Sequence, residues 1–339
     1  TYVRGVPGGS SYLAISVRAI ATDNASRDIL LTDIFTAFGQ QLAGEEVALQ
    51  PITTPWTEWS QRCAALAVHP AVVESRDYWL QTATAATLKV AGEAADPPGV
   101  ADLARIATAL TVAETTEIDD VRRRLRVPID EMLLAALSRT IANAVGDGVV
   151  AVDLNGEGRS VLKPDVDLRR TVGWFNTVYP IALSCAKSDG AKQLLEDVHD
   201  TLKAVPHYGI GYGLLRYLYA PTARALGATG PADIYFSYIG TIPDLPPLGD
   251  DVAVRFDSDT ALPVREAIPG LGHGIELRVF RTAGVLHLDW WYDSRRIDAA
   301  TVHSLADGFS RTLLELIREA LTQDEMDAGS DELELVDLS

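Results

Sequence analysis

Two short blocks concentrate the residues that could do chemistry. In residues 165–179, Asp165 and Asp167 stand beside Arg169 and Arg170, just ahead of Trp174 and an apolar run. Such a set can contact an anionic substrate or cofactor arm, or it can hold a loop through ion pairs between the arginines and Asp165 or Asp167. In residues 205–213, three glycines (Gly209, Gly211, Gly213) and two tyrosines (Tyr208, Tyr212) come after Pro206. That composition serves backbone freedom and close approach better than it serves an ordinary core element. Upstream, Glu157 in Asn155-Gly156-Glu157-Gly158-Arg159 could abstract a proton from a desolvated site, or simply pair with Arg159 in a loop. Trp174 and Tyr212 could be packing residues or platforms for a ligand. Ser184 and Ser237 have no His/Asp companions, which argues against a serine hydrolase. The six histidines lack HxxxH spacing and the two cysteines, Cys63 and Cys185, lack CxxC spacing, so no metal site is expected.

These blocks need a frame. Residues 12–17 read as a short buried strand. A helix comes next, with Leu30, Leu31, Ile34, Phe35, Phe38 and Leu42 at helical spacing and Asp23, Asn24 and Ser26 as N-cap candidates. Pro55 opens a second helix anchored by Trp56, Trp59 and Leu66, and Tyr78-Trp79-Leu80 marks a third. The Ala/Gly/Pro-rich passage 82–100 reads as a linker. Beyond it the chain alternates: strand 105–112, helix 113–125, buried helix 128–144, and strand 149–154 in a sheet covered on both faces. Strand 175–184 and amphipathic helix 191–204 come next, then short strands at 234–238 and 252–256. A hairpin joins 276–280 to 285–292 around Thr282-Ala283-Gly284, and a helix runs from 299 to about 321. These elements give an α/β protein of two lobes, residues 1–98 and 99–322, with an acidic linker tail over 323–339.

Bulk properties narrow the class. The 339 residues exceed the roughly 100–200 typical of one domain, and 47% hydrophobic residues suffice for packed cores. A formal net charge of −18 argues against nucleic-acid and anionic-membrane surfaces and leaves room for basic partners. Two cysteines fit a reducing, cytoplasmic setting, and no apolar run reaches membrane-spanning length.

Three stretches are more specific than any of these properties. Asp167 to Phe175 resembles the aspartate-x-Ser-Arg-Thr-Val-Gly-Trp-Phe block of the condensation superfamily of non-ribosomal peptide synthetases, and in particular of its epimerization-type domains. Val205 to Gly213 matches that family's Val-Pro-x-x-Gly-x-Gly-Tyr-Gly block, and Phe236-Ser237-Tyr238-Ile239-Gly240 stands for its Phe-Asn-Tyr-Leu-Gly. The resemblance runs along nearly the whole chain. It implies two chloramphenicol-acetyltransferase-like lobes in a V-shaped pseudo-dimer, a tunnel between them, and carrier proteins docking at its mouths. It also implies a substantial segment before residue 18, so the first lobe is expected to lack its N-terminal part.

Two positions depart from the family pattern. Where active relatives have His-His-x-x-x-Asp-Gly, this chain has Arg18-Ala19-Ile20-Ala21-Thr22-Asp23-Asn24. Ala19 replaces the catalytic histidine, and Asp23 matches an aspartate whose role is chiefly structural. Arg18 could plug the tunnel or point to solvent. Where epimerization domains have Glu-Gly-His-Gly-Arg, Asn155 replaces the second acid/base. Alanine and asparagine cannot shuttle a proton at neutral pH, so no catalytic residue is expected, with Glu157 as the fallback base. Arg169, Arg170, Trp174 and Tyr212 remain candidates for contact with the tunnel, the substrate or a phosphopantetheine arm. The implied function is a catalytically silent domain that binds a peptidyl carrier protein and its phosphopantetheine-tethered peptide, or recruits a tailoring enzyme. The X domains of glycopeptide antibiotic synthetases, which dock cytochrome P-450-type oxygenases, are the family precedent. The rivals are an active epimerase using Glu157 and a structural spacer between modules.

Overall fold

The structure is a computed structural model that describes residues 2–3, 5, 12–13, 15, 17, 19–160, 166–242 and 272–336. Arg18, Asp165 and the strand expected at 252–256 lie outside the described residues. The chain forms two compact units. The first comprises residues up to Arg62 together with Glu157–Asn176, and the second comprises Cys63–Gly156 and most residues from Thr177 onward.

In the first unit a two-residue antiparallel ladder pairs β1 (Tyr2–Val3) with β2 (Tyr12–Leu13). Strand β2 stops there, and Leu13, Ile15 and Val17 are 59%, 47% and 47% exposed, so residues 12–17 do not form the buried strand that their composition suggests. A ladder this short cannot cover their side chains. A 3-10 turn at Ala19–Ala21 leads into α1 (Asn24–Leu42). Asp23, in extended conformation, caps that helix by accepting the Ser26 N–H at 2.8 Å. Of the helix's apolar residues, Ile29 is buried, Leu30, Leu31, Ile34 and Phe35 are half-buried, and Phe38 and Leu42 are exposed. Next comes α2 (Trp56–Ala67). Trp59 is buried as expected, whereas Trp56 is 51% exposed and Leu66 only half-buried. Trp56 sits in the first turn of the helix, where fewer neighbours surround it.

The second unit opens with α3 (Pro70–Glu74) and α4 (Arg76–Thr84). Its core is a six-stranded mixed sheet of β3 (Leu103–Ala109), β4 (Gly148–Gly156), β5 (Thr177–Cys185), β6 (Ile234–Thr241), β7 (Ile275–Thr282) and β8 (Val285–Asp293), in the order β3-β8-β7-β6-β4-β5. Strand β6 runs parallel to both β4 and β7, and the remaining pairs are antiparallel. The expected hairpin closes at Ala283 and Gly284, both with positive φ (47° and 76°), the geometry of a two-residue primed turn. Helix α5 (Val112–Leu125) starts with a Thr111/Glu114 capping box. Helix α6 (Ile129–Val145) is buried along most of its length. The remaining helices are α7 (Ala191–Lys203), α8 (Ile210–Gly213), α9 (Ala220–Gly227) and α10 (Ala299–Val336). Helix α10 packs against α5, α6 and α7.

Two boundaries differ from the sequence expectation. Residues 82–100 do not separate the units. The Thr87 and Leu88 N–H groups donate to the Val149 carbonyl (both 2.9 Å), Val90 donates to Asp233 (3.0 Å) and Gly92 to the Arg296 carbonyl (2.8 Å). Those bonds tie the passage to the second unit and move the division from 98 to Arg62. Small residues suit a strap laid close on a sheet as well as they suit a linker. The acidic tail, expected as a linker from 323, continues α10 to Val336. No proline interrupts it, and Glu, Leu and Met are good helix formers.

Candidate functional site

The first motif block, residues 167–175, is clamped around the start of α1 by one buried guanidinium. Arg159 is 9% exposed. Its Nε donates to Asp23 Oδ2 at 3.0 Å, and Nη2 donates to Asp23 Oδ1 (2.7 Å) and Ser26 Oγ (2.8 Å). Nη1 donates to the carbonyls of Leu168 (2.5 Å) and Thr171 (2.9 Å). All five guanidinium N–H donors are therefore used. The guanidinium lies 4.5 Å from the centroid of the buried Phe175 ring, and Trp59 meets that ring edge-on at 5.6 Å. Asp23 also accepts the Phe175 N–H at 3.2 Å, while Ser26 Oγ donates to the Gly173 carbonyl (2.8 Å) and accepts its N–H (2.9 Å). Burial by itself would raise the Asp23 carboxyl, but the bonds from Arg159 and Ser26 outweigh it and hold it below its ordinary 3.8. Four donors occupy the lone-pair directions of the Asp23 carboxylate and tie it into the frame.

Around this hub the other charged candidates are engaged. Arg169 is exposed and pairs with Asp167 at 2.7 Å, the loop-holding arrangement. Arg170 pairs with Asp33 on α1, at 2.7 Å. Glu157 is exposed, and its two oxygens accept the backbone N–H groups of Arg159 (2.9 Å) and Ser160 (3.1 Å). It closes a turn rather than pairing with the Arg159 side chain, and it is not in the dry setting a carbon-acid base requires. Trp174 is half-buried beside the fully buried Phe175. A cleft of about 450 Å³ opens here, with Ile29 and Leu168 as apolar walls and Glu157, Arg169 and Arg170 as polar ones. Ala19 lies in the 3-10 turn ahead of Asp23.

In the second unit, Asn155 occupies β4 and donates from Nδ2 to Ser237 Oγ on the neighbouring β6 at 3.0 Å. Its Oδ1 is buried with no hydrogen-bond partner among the described residues. Two residues back on the same face, the buried Asp153 meets His273 Nε2 at 2.7 Å and accepts the Ala232 N–H at 3.1 Å. His273, a loop histidine by its Gly272-His273-Gly274 context, has a fully buried side chain, and its Nδ1 has no partner among the described residues. Its ring lies 5.2 Å from that of Tyr235. Burial pushes the Tyr235 hydroxyl up to about 12, so it does not ionise near neutrality.

The second block, residues 205–213, takes an unusual backbone. His207, Tyr208 and Gly209 have φ of 50°, 53° and 85°, and each non-glycine in that region costs roughly 1–2 kcal/mol. A methyl group on Gly209 would lie 2.0 Å from the Tyr179 ring, so glycine lets the turn close on β5. His207 Nε2 lies 3.0 Å from the Ala71 carbonyl. Tyr212 is buried, its ring 5.5 Å from that of Trp79, and its hydroxyl accepts a bond from Arg216 Nη1 at 2.5 Å. Burial raises its hydroxyl. Its ring is core rather than a ligand platform. No local spacing pointed to the parts of Asp33 and of the Asp153–His273 pair, because each is made by residues more than 100 positions apart.

Comparison with known proteins agrees with this geometry. The condensation-domain family profile matches residues 9–332, and the chain belongs to that family. The chain is 55% identical over 350 residues to a subunit of the phenolphthiocerol/phthiocerol polyketide synthase of Mycobacterium tuberculosis, covering 100% of this chain and 23% of that protein. It thus spans about a quarter of the length of that relative. The epimerization domain from the third module of tyrocidine synthetase B superposes with a TM-score of 0.74 at 24% identity, covering 89% of this chain and 68% of that one. The X-domain in its complex with OxyB from teicoplanin biosynthesis gives 0.62 at 14% identity, covering 90% and 66%. These two likenesses establish the mixed α/β condensation-domain fold.

Proposed function

We propose that this chain is a catalytically silent condensation-family domain of a multienzyme synthase, which binds a carrier protein and its phosphopantetheine-tethered chain or presents that carrier to a tailoring oxygenase of the cytochrome P-450 type. The observation that carries the reading is a contrast between what is lost and what is kept. The residues at both proton-transfer positions of the family are Ala19 and Asn155, which have no titratable group, while the supporting frame of Asp23, Arg159 and Phe175 is intact. A frame kept without its acid and base suits holding a tethered substrate rather than transforming it. Glu157, exposed and committed to two backbone N–H groups, is a poor substitute base.

Titration of this protein with a phosphopantetheinylated carrier domain of its synthase, followed by calorimetry, tests the reading. Binding at micromolar affinity or tighter, with no α-proton exchange in deuterated water on a carrier-bound aminoacyl thioester, is the expected result. Exchange that disappears in Glu157→Gln would replace the reading with an active epimerase. Binding to neither carrier nor oxygenase would leave a spacer between modules.

A further inference from the structure

We infer that the segment Leu214–Leu218 is the surface on which this domain docks the carrier protein, with Arg216 receiving an acidic group of that partner; this rests on the carrier-binding reading above. The starting observation is a cation with no contact ion pair among the described residues, on which the buried Asp153 acts only at longer range. The chain carries 47 acidic residues against 29 Lys and Arg, and guanidinium groups such as Arg159, Arg170, Arg281 and Arg295 each sit on a carboxylate. Arg216 does not. Among the described residues no carboxylate lies within ion-pair distance of it, and its one polar contact there is the neutral Tyr212 hydroxyl. The remaining guanidinium donors are uncommitted.

Arg216 is also held in place. Its guanidinium lies 5.6 Å from the Tyr212 ring centroid and 5.4 Å from that of Tyr217. The stack fixes a long side chain before any partner arrives, so less rotamer freedom is lost on binding. The backbone beneath is a π-helical turn, an irregularity that is rare in structures and frequent at functional sites. The same turn exposes Tyr217 (73%) and Leu218 (53%), and the left-handed run just upstream displays Tyr208 (79%). An arginine held between a buried and an exposed tyrosine ring, with more exposed apolar surface on the same turn, has the composition of an interface anchor. The occupant must bring negative charge and some apolar surface. Nucleic acid and anionic membrane bring negative charge too, but as extended fields that a chain of net charge −18 repels. A folded carrier domain presenting a few carboxylates meets the requirement locally.

The test compares carrier affinity across charge variants of the intact protein. Arg216→Glu is expected to weaken binding about tenfold or more and to flatten its salt dependence. Arg126→Glu, a reversal at an exposed arginine outside this turn, should change affinity by less than about twofold and controls for net charge. Tyr217→Ser, which leaves the Tyr212–Arg216 bond in place, should weaken binding as well and keeps the test decisive if Arg216→Glu unfolds. Parent-like affinity in both turn variants overturns this surface but leaves the carrier-binding reading standing. No carrier binding by the parent protein overturns both.

Discussion

The hub around Arg159 and the polar strip on β4 treat buried polarity in opposite ways. In the hub, five guanidinium donors meet five acceptors, and the Asp23 carboxylate takes four donors. On β4, Asn155 leaves its Oδ1 and the nearby His273 its Nδ1 without a partner among the described residues. A buried polar group persists cheaply only when it is fully bonded. The hub therefore behaves as structure. On the silent reading proposed above, the strip is a polar shell that outlasted its chemistry. On that same reading, loss of an acid and base relaxes the groups around them and leaves a fully bonded frame alone.

The contrast can be broken experimentally. Asp23→Ala strands a buried guanidinium and should cost about 3–5 kcal/mol in urea-denaturation free energy. A loss below about 1 kcal/mol would show that the hub is no more than a surface-type pair. The same carboxylate sets an acid limit. Because its folded pKa lies below its unfolded value of 3.8, its contribution is complete above that value and disappears as pH falls through the folded pKa. Thermal melts between pH 7 and pH 3 should therefore show a drop below about pH 4 that shrinks in Asp23→Asn.

The two glycine-bearing blocks provide the next comparison. Gly209→Ala forces a Cβ to within 2.0 Å of Tyr179 at a φ of 85° and should cost about 2–4 kcal/mol. At Gly173 the added carbon would meet Trp56 at 2.7 Å and Phe175 at 2.8 Å. There the half-exposed Trp56 can give way, so Gly173→Ala should cost less, about 1–2 kcal/mol. Equal losses in the two melts would contradict that reasoning. The smallest effect belongs to the strip. Replacing both partners, Asn155→Val with Ser237→Ala, removes the orphaned acceptor and should leave stability within about 1 kcal/mol of the parent. A loss matching that of Asp23→Ala would make the strip as structural as the hub.

Chain order decided much of this in advance. The alternation of apolar runs and periodic stretches set most helices and strands of the second unit to within a few residues, because local spacing determines which face of an element can be buried. The motif blocks identified the family, and residue type alone leaves Ala19 and Asn155 without a titratable proton in any fold. Composition could not distinguish a linker from a strap, so residues 82–100 needed the hydrogen bonds to Val149, Asp233 and Arg296 to be placed. Nor could spacing reveal that Arg159 reaches back 136 positions to Asp23, that Arg170 pairs with Asp33, or that Arg216 rests on tyrosines. Those pairings are long-range. They depend on which side chains the tertiary fold brings within a few ångströms, and ion pairing falls away too steeply with distance and solvent for sequence proximity to stand in for it.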